Sequence, residues 1–265
     1  MSDTRSGQVV ANAAEVYDQF FVPALFAEWA PRLCDAAVIG EGQTVLDVGC
    51  GTGVAARTAA ARVGSSGAVT GIDVNEGMLA VARRHDPSIT WRQGAAEALP
   101  FESESFDAVL SQFALMFFVD PDAAIAEMRR VASRGGQIAV AVWCSLEETP
   151  GYTAMAELLH RLFGQAAADA LRVPYAMGDT EQLAERFRNA GLDPAPTTMM
   201  GTARFPSIES WVHTDIRGWT LADVIDDEQY QHLLEVALVE LQPFASTDGT
   251  VSFAHPAQIV TATVN

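Results

Sequence analysis

The stretch VLDVGCGTGVAA, Val45 to Ala56, constrains the fold more than any other part of the chain. Val45, Leu46, Asp47 and Val48 read as a buried strand that ends at its carboxyl edge. Gly49, Gly51 and Gly53 alternate through the following turn, and the alanine-rich run after them suits a helix. Strand, glycine turn and helix is an arrangement in which free backbone N–H groups face a nucleotide-type ligand.

The rest of the chain keeps that rhythm. Strands are expected at Ala68–Ile72, Ile89–Gln93, Ala108–Gln112 and Gln137–Val142, with helices at Val54–Arg62, Gly77–Arg84 and Asp122–Val131 between them. Gln137–Val142 is almost wholly apolar, as a central parallel strand should be. The alternation predicts an α/β fold, a doubly wound parallel sheet with helices on both faces. Residues 9–39 read as helical, broken at Pro23 and Pro31. After Trp143 the pattern turns to helical stripes around Leu158 and Leu183, a strand within Thr197–Phe205, a helix ending near Leu241, and a closing strand at Gln258–Val264. Helices placed there interrupt the return of the sheet, where a cap can be inserted.

Composition limits the partners. The 265 residues are 49% hydrophobic and 19% charged, a globular balance. All 16 basic residues are arginine and the net charge is −18, so a phosphate backbone would be repelled and nucleic acid is not expected. The pairs Arg83–Arg84 and Arg129–Arg130 read as solvated helix faces. Cys34, Cys50 and Cys144 form no C-x-x-C pair, which argues against zinc and disulfides and fits a reducing compartment. With no leader-like segment and no long apolar run, a cytoplasmic protein away from membranes is expected; oligomeric state is not readable. No metal-ligand spacing is present, so no metal is expected.

Three features narrow the ligand. The turn reads D-x-G-x-G-x-G, whereas a dinucleotide fingerprint needs its last glycine at position 54, which is Val54. Asp47, at the mouth of the strand, opposes a pyrophosphate and favours an ammonium group. A chain without lysine cannot carry a P-loop. Asp73, in GIDVN at the end of the next strand, suits a ribose diol, and this leaves adenosine and NAD equally open. Met78 can lie against a base or simply fill the core.

The segments VLDVGCGTG, GIDVNEGMLAVAR, GAAEALPFESESFDAVLSQFALMFF and QIAVAVW resemble, in order and spacing, the motifs of class I SAM-dependent methyltransferases. The likeness is to the ubiquinone/menaquinone-biosynthesis-type small-molecule group, specific over about residues 40–143 and looser elsewhere. The resemblance implies a Rossmann-like, seven-stranded, mostly parallel sheet with a helical cap insertion, and S-adenosyl-L-methionine (SAM) as cofactor. One domain is expected over 1–265, with amino-terminal helices to 40, a SAM-binding core over 41–143, and substrate-side helices and final strands over 144–265.

Carried over by residue, Asp47, Gly49, Cys50, Gly51, Thr52 and Gly53 surround the methionine part, and Asp73, Val74 and Met78 the adenosine. Ala95 stands where many relatives carry the aspartate that holds adenine, leaving the Ala96 backbone N–H to reach the ring. Ser111 and Gln112 fall near the methionine ammonium, and Tyr17 matches an amino-terminal aromatic that closes over SAM. Glu97 reads as a structural turn residue.

Methyl transfer asks mainly for alignment and exclusion of water, and a base only where the acceptor arrives protonated. Trp143, at the end of the fifth strand, is expected to wall the pocket of a small-molecule acceptor, and His213 is the candidate base. The aromatic and methionine residues Tyr175, Met177, Met199, Met200, Phe205, Trp211 and Trp219 suit either an apolar acceptor or an ordinary core. The expected function is methylation of a metabolite at oxygen, nitrogen or carbon. The alternatives are a SAM-binding sensor or assembly protein without turnover and, against the glycine spacing, a nucleotide-cofactor oxidoreductase.

Overall fold

A computed structural model describes residues 14–218, 221 and 225–265. The helical expectation for 9–13 and the residue Trp219 lie outside the described residues. The short α1 (Ala14–Val16) runs straight into a π-helix, Tyr17–Phe26, followed by α2 (Trp29–Ala36). Then come β1 (Thr44–Val48), α3 (Val54–Val63), β2 (Ala68–Asp73), α4 (Glu76–His85), β3 (Thr90–Gln93), β4 (Phe106–Gln112), α5 (Pro121–Val131) and β5 (Ala132–Trp143). The later half holds α6 (Pro150–Phe163), α7 (Gln165–Arg172), α8 (Thr180–Asn189), β6 (Ala195–Met199) and β7 (Thr202–Phe205). It closes with α9 (Ile208–Arg217), α10 (Asp227–Glu240), β8 (Val251–Ala254) and β9 (Ala257–Thr263).

Seven strands form one sheet in the order β3-β2-β1-β4-β5-β9-β6. The pairs from β3 to β5 are parallel, and β9 runs antiparallel to both β5 and β6. The carboxyl ends of β1, β2, β4 and β5 therefore meet along one edge, where the strand order reverses and ligands collect. In β5, Ile138 to Val142 are all fully buried. That continuous apolar run is what a strand covered on both faces requires. Helix starts are fixed locally. Asn75 accepts from the Gly77 and Met78 amides at 2.9 and 3.3 Å to open α4, and Asp120 does the same for Asp122 and Ala123 at α5.

The expected cap is two separate insertions. One, α6 and α7, follows β5; the other, β7 through β8, lies between β6 and β9, with β7 and β8 paired as a small antiparallel ribbon. The single strand expected within Thr197–Phe205 is thus two strands in two sheets, divided at Met200–Gly201. Gly201 is the reason the chain can turn there: a Cβ on it would stand 2.2 Å from the Trp29 ring and 2.7 Å from the His255 carbonyl oxygen. The expected proline breaks also move. Pro31 sits in the first turn of α2, where its missing N–H is not needed, and Pro23 lies inside the π-helix. The helical pattern breaks between them, at Ala27–Glu28. Arg130 is more than a solvated charge, since it donates to the Phe101 and Leu99 carbonyls at 2.9 and 3.0 Å while pairing with Glu127.

Candidate functional site

The glycine turn is shaped by what lies behind it. Gly49, Gly51 and Gly53 have φ of 69°, 54° and 86°, in the left-handed region that favours glycine. Trp91 of β3 lies against the back of the turn: a Cβ on Gly53 would meet its ring at 2.4 Å, and one on Gly71 likewise at 2.4 Å. In front, Gly51 has only Tyr17 Cε1 at 3.9 Å. The backbone is pushed forward by an indole, and its open side faces a cavity.

That cavity, of about 190 Å³, is lined by Tyr17, Gly49, Gly51, Asp73, Val74 and Met78 on one side and by Ala95, Ala96, Glu97 and Gln112 on another. Asp73 anchors it. The Gly51 amide donates to Asp73 Oδ2 and the Asn75 amide to Oδ1, both at 2.8 Å. Burial raises the Asp73 carboxyl, and backbone amides of Asn75, Gly51 and Val74 pull it back. Asp73 lines the cavity and keeps acceptor capacity for a ligand hydroxyl. Glu97 braces the far wall by accepting from the Val119 and Asp120 amides at 2.8 and 3.2 Å.

An adjoining recess takes in Asp47, Cys50, Thr52 and Gln112, with Tyr17 bordering both spaces. Its polar atoms are conspicuously unsatisfied. Asp47 Oδ2 accepts from the Ala56 amide at 3.0 Å, but Oδ1 has no partner, nor do Thr52 Oγ1 and Gln112 Oε1. Burial pushes the Asp47 carboxyl up to about 7. Buried carboxylate and amide oxygens without donors fit a ligand group that brings N–H bonds and positive charge, as an amino-acid ammonium does. Tyr17 is held well above the usual phenol range, first by burial and then by Asp73, Asp18 and Asp47.

Of the remaining expected residues, Gly53 starts α3 without lining the cavity, and Ser111 is fully buried within β4, its Oγ unpartnered and outside both linings. Trp143 stands where expected, at the end of β5, and lines a second chamber. His213 does not belong to either space. It sits on the exposed face of α9, edge-on to Phe20 and Tyr230. Helical spacing explains the miss: two residues further on, Asp215 points to the opposite, buried face and lines the second chamber. Trp211 and Phe205 pack with Phe253 in the core, and Met200 is exposed.

The second chamber is bounded by Phe26, Phe113 and Phe117, which also line the first, and by Trp143, Tyr152, Tyr175, Asp215 and His255. His255 carried no pattern in the sequence, and Tyr152 gave none either. Among the described residues no group of three or more His, Cys, Asp and Glu is placed to hold a metal, and no helix is long and apolar enough to cross a membrane.

A family model described as a methyltransferase domain matches residues 46–140. The chain is 38% identical over 115 residues to the 2-phytyl-1,4-naphtoquinone methyltransferase of Thermosynechococcus vestitus, covering 42% of this chain and 51% of that one. It is 33% identical over 197 residues to the ubiquinone/menaquinone biosynthesis C-methyltransferase UbiE of Bordetella parapertussis, covering 69% and 76%. The chain spans about half the length of the first curated relatives it matches. Among solved structures, the YcgJ protein of Bacillus subtilis superposes with a TM-score of 0.61 at 20% identity, covering 89% of this chain and 97% of that one. That likeness bears on the fold.

Proposed function

We infer the function from one premise: the chain belongs to the class I SAM-dependent methyltransferases of the ubiquinone/menaquinone-biosynthesis type. On this reading it binds SAM in the first cavity and transfers the methyl group to a small molecule. The observation that carries it is the pairing of a ribose-type carboxylate, Asp73, with a recess of unsatisfied acceptors beneath the same glycine turn. Asp47 Oδ1 and Gln112 Oε1 would take the ammonium, and Thr52 Oγ1 has a free proton for the carboxylate. Asp73 would hold the ribose, with Met78, Val74 and the Ala95–Ala96 backbone about the base and Tyr17 closing over the junction.

When bound, the sulfonium supplies an already activated methyl group. The chain's own part is to orient it toward Phe26, Phe113 and Phe117, the wall shared with the second chamber, and to keep water out. We read 1–265 as one such domain acting on a small-molecule acceptor, with neither nucleic acid nor membrane as partner and the cytoplasm as its setting. Names of relatives point the acceptor class toward quinones and their precursors.

Calorimetric titration with SAM, S-adenosylhomocysteine and NAD⁺, beside Asp73→Ala, tests the cofactor. Micromolar binding of both adenosyl ligands, none of NAD⁺, and at least a hundredfold loss in the variant are expected. Binding of NAD⁺ without SAM would sink the reading.

A further inference from the structure

The second chamber contains a buried carboxyl that nothing in cofactor binding uses. Asp215 is 4% exposed and accepts from the Tyr152 hydroxyl at 3.2 Å through Oδ1, while Oδ2 has no partner. A carboxyl left half-satisfied in an aromatic shell is costly unless a ligand completes it. Among the described residues that line the chamber, Nδ1 of His255 is also unpartnered, while its Nε2 meets the Tyr175 hydroxyl at 3.0 Å. Trp143 lies between Phe113 and His255, with ring centroids 3.7 and 3.8 Å apart, making one wall a continuous stack of rings.

We propose that this chamber holds the methyl acceptor and that Asp215 takes the proton from its nucleophilic hydroxyl, the fitting class being a flat aromatic hydroxy compound. This rests on the reading that the first cavity binds SAM. The two spaces adjoin at Phe26, Phe113 and Phe117, the side from which a ring in the second would present its substituent to the first. At about 50 Å³ the chamber is smaller than the roughly 150 Å³ that admits benzene. Occupancy therefore requires the side formed by Ala170 and Leu171 of α7 to yield.

Chemistry selects the class. Among the described residues no arginine lines the chamber, and the chain carries −18 overall, which disfavours an anionic acceptor. Among the described residues the titratable groups facing Asp215 are Tyr152 on α6, Tyr175 after α7 and His255 before β9; the Trp211 indole lies beside it without hydrogen-bond geometry. Burial pushes Asp215 up to about 8, partly offset by Tyr152 and Trp211, so near neutrality it is mostly uncharged and does not select cations. Burial drives His255 down to about 3, too weak a base for a phenol's proton. Asp215 is matched to that task. In the step, the hydroxyl proton passes to Asp215, the oxygen pair forms the new O–CH3 bond, and the electrons of the breaking C–S bond stay on sulfur, giving neutral S-adenosylhomocysteine. Tyr152 is a positioning residue that fixes the carboxyl.

The test uses the full chain with phenol and 1-naphthol as hydroxyl probes, 2-phenylethylamine as a cation and 1-naphthoate as an anion. S-adenosylhomocysteine release is followed from pH 6 to 10, and probe binding without SAM is followed by tryptophan fluorescence. Turnover of a hydroxyl probe, rising through pH about 8 to a plateau, is expected. Asp215→Asn should bind that probe within threefold of wild type, retain SAM affinity, and lose about a hundredfold or more in kcat together with the inflection. Tyr152→Phe should move the inflection to higher pH, because a donor that lowers the carboxyl is gone. Ala170→Trp, which fills the chamber, should abolish probe binding and spare SAM. Turnover by Asp215→Asn within threefold of wild type overturns the role of Asp215. Turnover of the amine or naphthoate but neither hydroxyl probe, or no binding of either hydroxyl probe by a protein that binds SAM, overturns the class. Failure to bind SAM at all overturns the cofactor reading itself, and this proposal with it.

Discussion

The two chambers are built in opposite ways. The first is built around three short stretches, each contiguous in sequence, the glycine turn, Asp73–Asn75 at the end of β2 and Gly94–Glu97, with Tyr17, Phe26 and the segment after β4 closing it. The second is mostly side chain, gathered from the π-helix, the ends of β4 and β5, α6, the turn after α7, α9 and the residue before β9. A backbone site tolerates almost no added atom, because the chain path is the site. A side-chain site tolerates changed shape more readily but depends on each polar contact. Substitutions in the two chambers should therefore fail in different ways.

The largest effect is expected at Gly53. Valine there must adopt φ near 86° and place a Cβ 2.4 Å from the Trp91 ring. Left-handed strain and overpacking together cost about 3 kcal/mol. Urea denaturation should show that loss, and titration of the surviving folded protein should show no SAM binding. A loss under about 1 kcal/mol would mean the turn relaxes and the backbone chamber is less rigid than its contacts imply.

This contrast also explains what the sequence disclosed. The first chamber was legible because its groups fall at fixed offsets: Asp47 two residues before Gly49, and Asp73 at the end of the next strand. Sheet class followed from the same alternation. Trp91 left no trace, since its role is to lie behind Gly53 and Gly71 across a strand pair. The second chamber was largely hidden. Asp215 and His255 are 40 residues apart in sequence and reach one cavity only because the β7–β8 ribbon and α9 pack back against the π-helix and α6. His213 drew attention as a histidine between Trp211 and Asp215, yet on a helix alternate residues do not share a face. Ser111 shows the limit from the other side. It is next to Gln112 in sequence, but strand alternation turns it away from the recess that Gln112 lines.

A smaller effect sharpens the electrostatic side of the comparison. Asp47→Asn removes the charge that would meet the ligand ammonium, and a 10- to 100-fold loss of SAM affinity is expected, about 1.4–2.7 kcal/mol. Proton linkage identifies the cause. With its folded value raised to about 7, Asp47 is mostly protonated at pH 6, and pairing with an ammonium forces it to ionise. SAM binding should then release close to one proton at pH 6 and almost none above pH 8.5, read by calorimetry in two buffers of different ionisation heat. Asp47→Asn should release none at either pH. The same raised value makes the protein's free form lose stability as pH climbs from about 4 through 7, since the unfolded chain gives up that proton first. Thermal melts of the variant should be flatter across that window.

The smallest expected effect is the most discriminating for the second chamber. His213→Ala removes an exposed imidazole whose ring contacts are edge-on to Phe20 and Tyr230. Stability should change by less than about 0.5 kcal/mol, and turnover with any acceptor should stay within twofold. Asp215 is on the same helix, so a change that merely disturbed α9 would lower both activities, whereas loss at Asp215 with none at His213 isolates the buried face. If His213→Ala were instead as damaging as Asp215→Asn, the acceptor would have to reach the outer face of α9. The chamber enclosed by Trp143, Tyr152, Tyr175 and His255 would then be packing rather than a site.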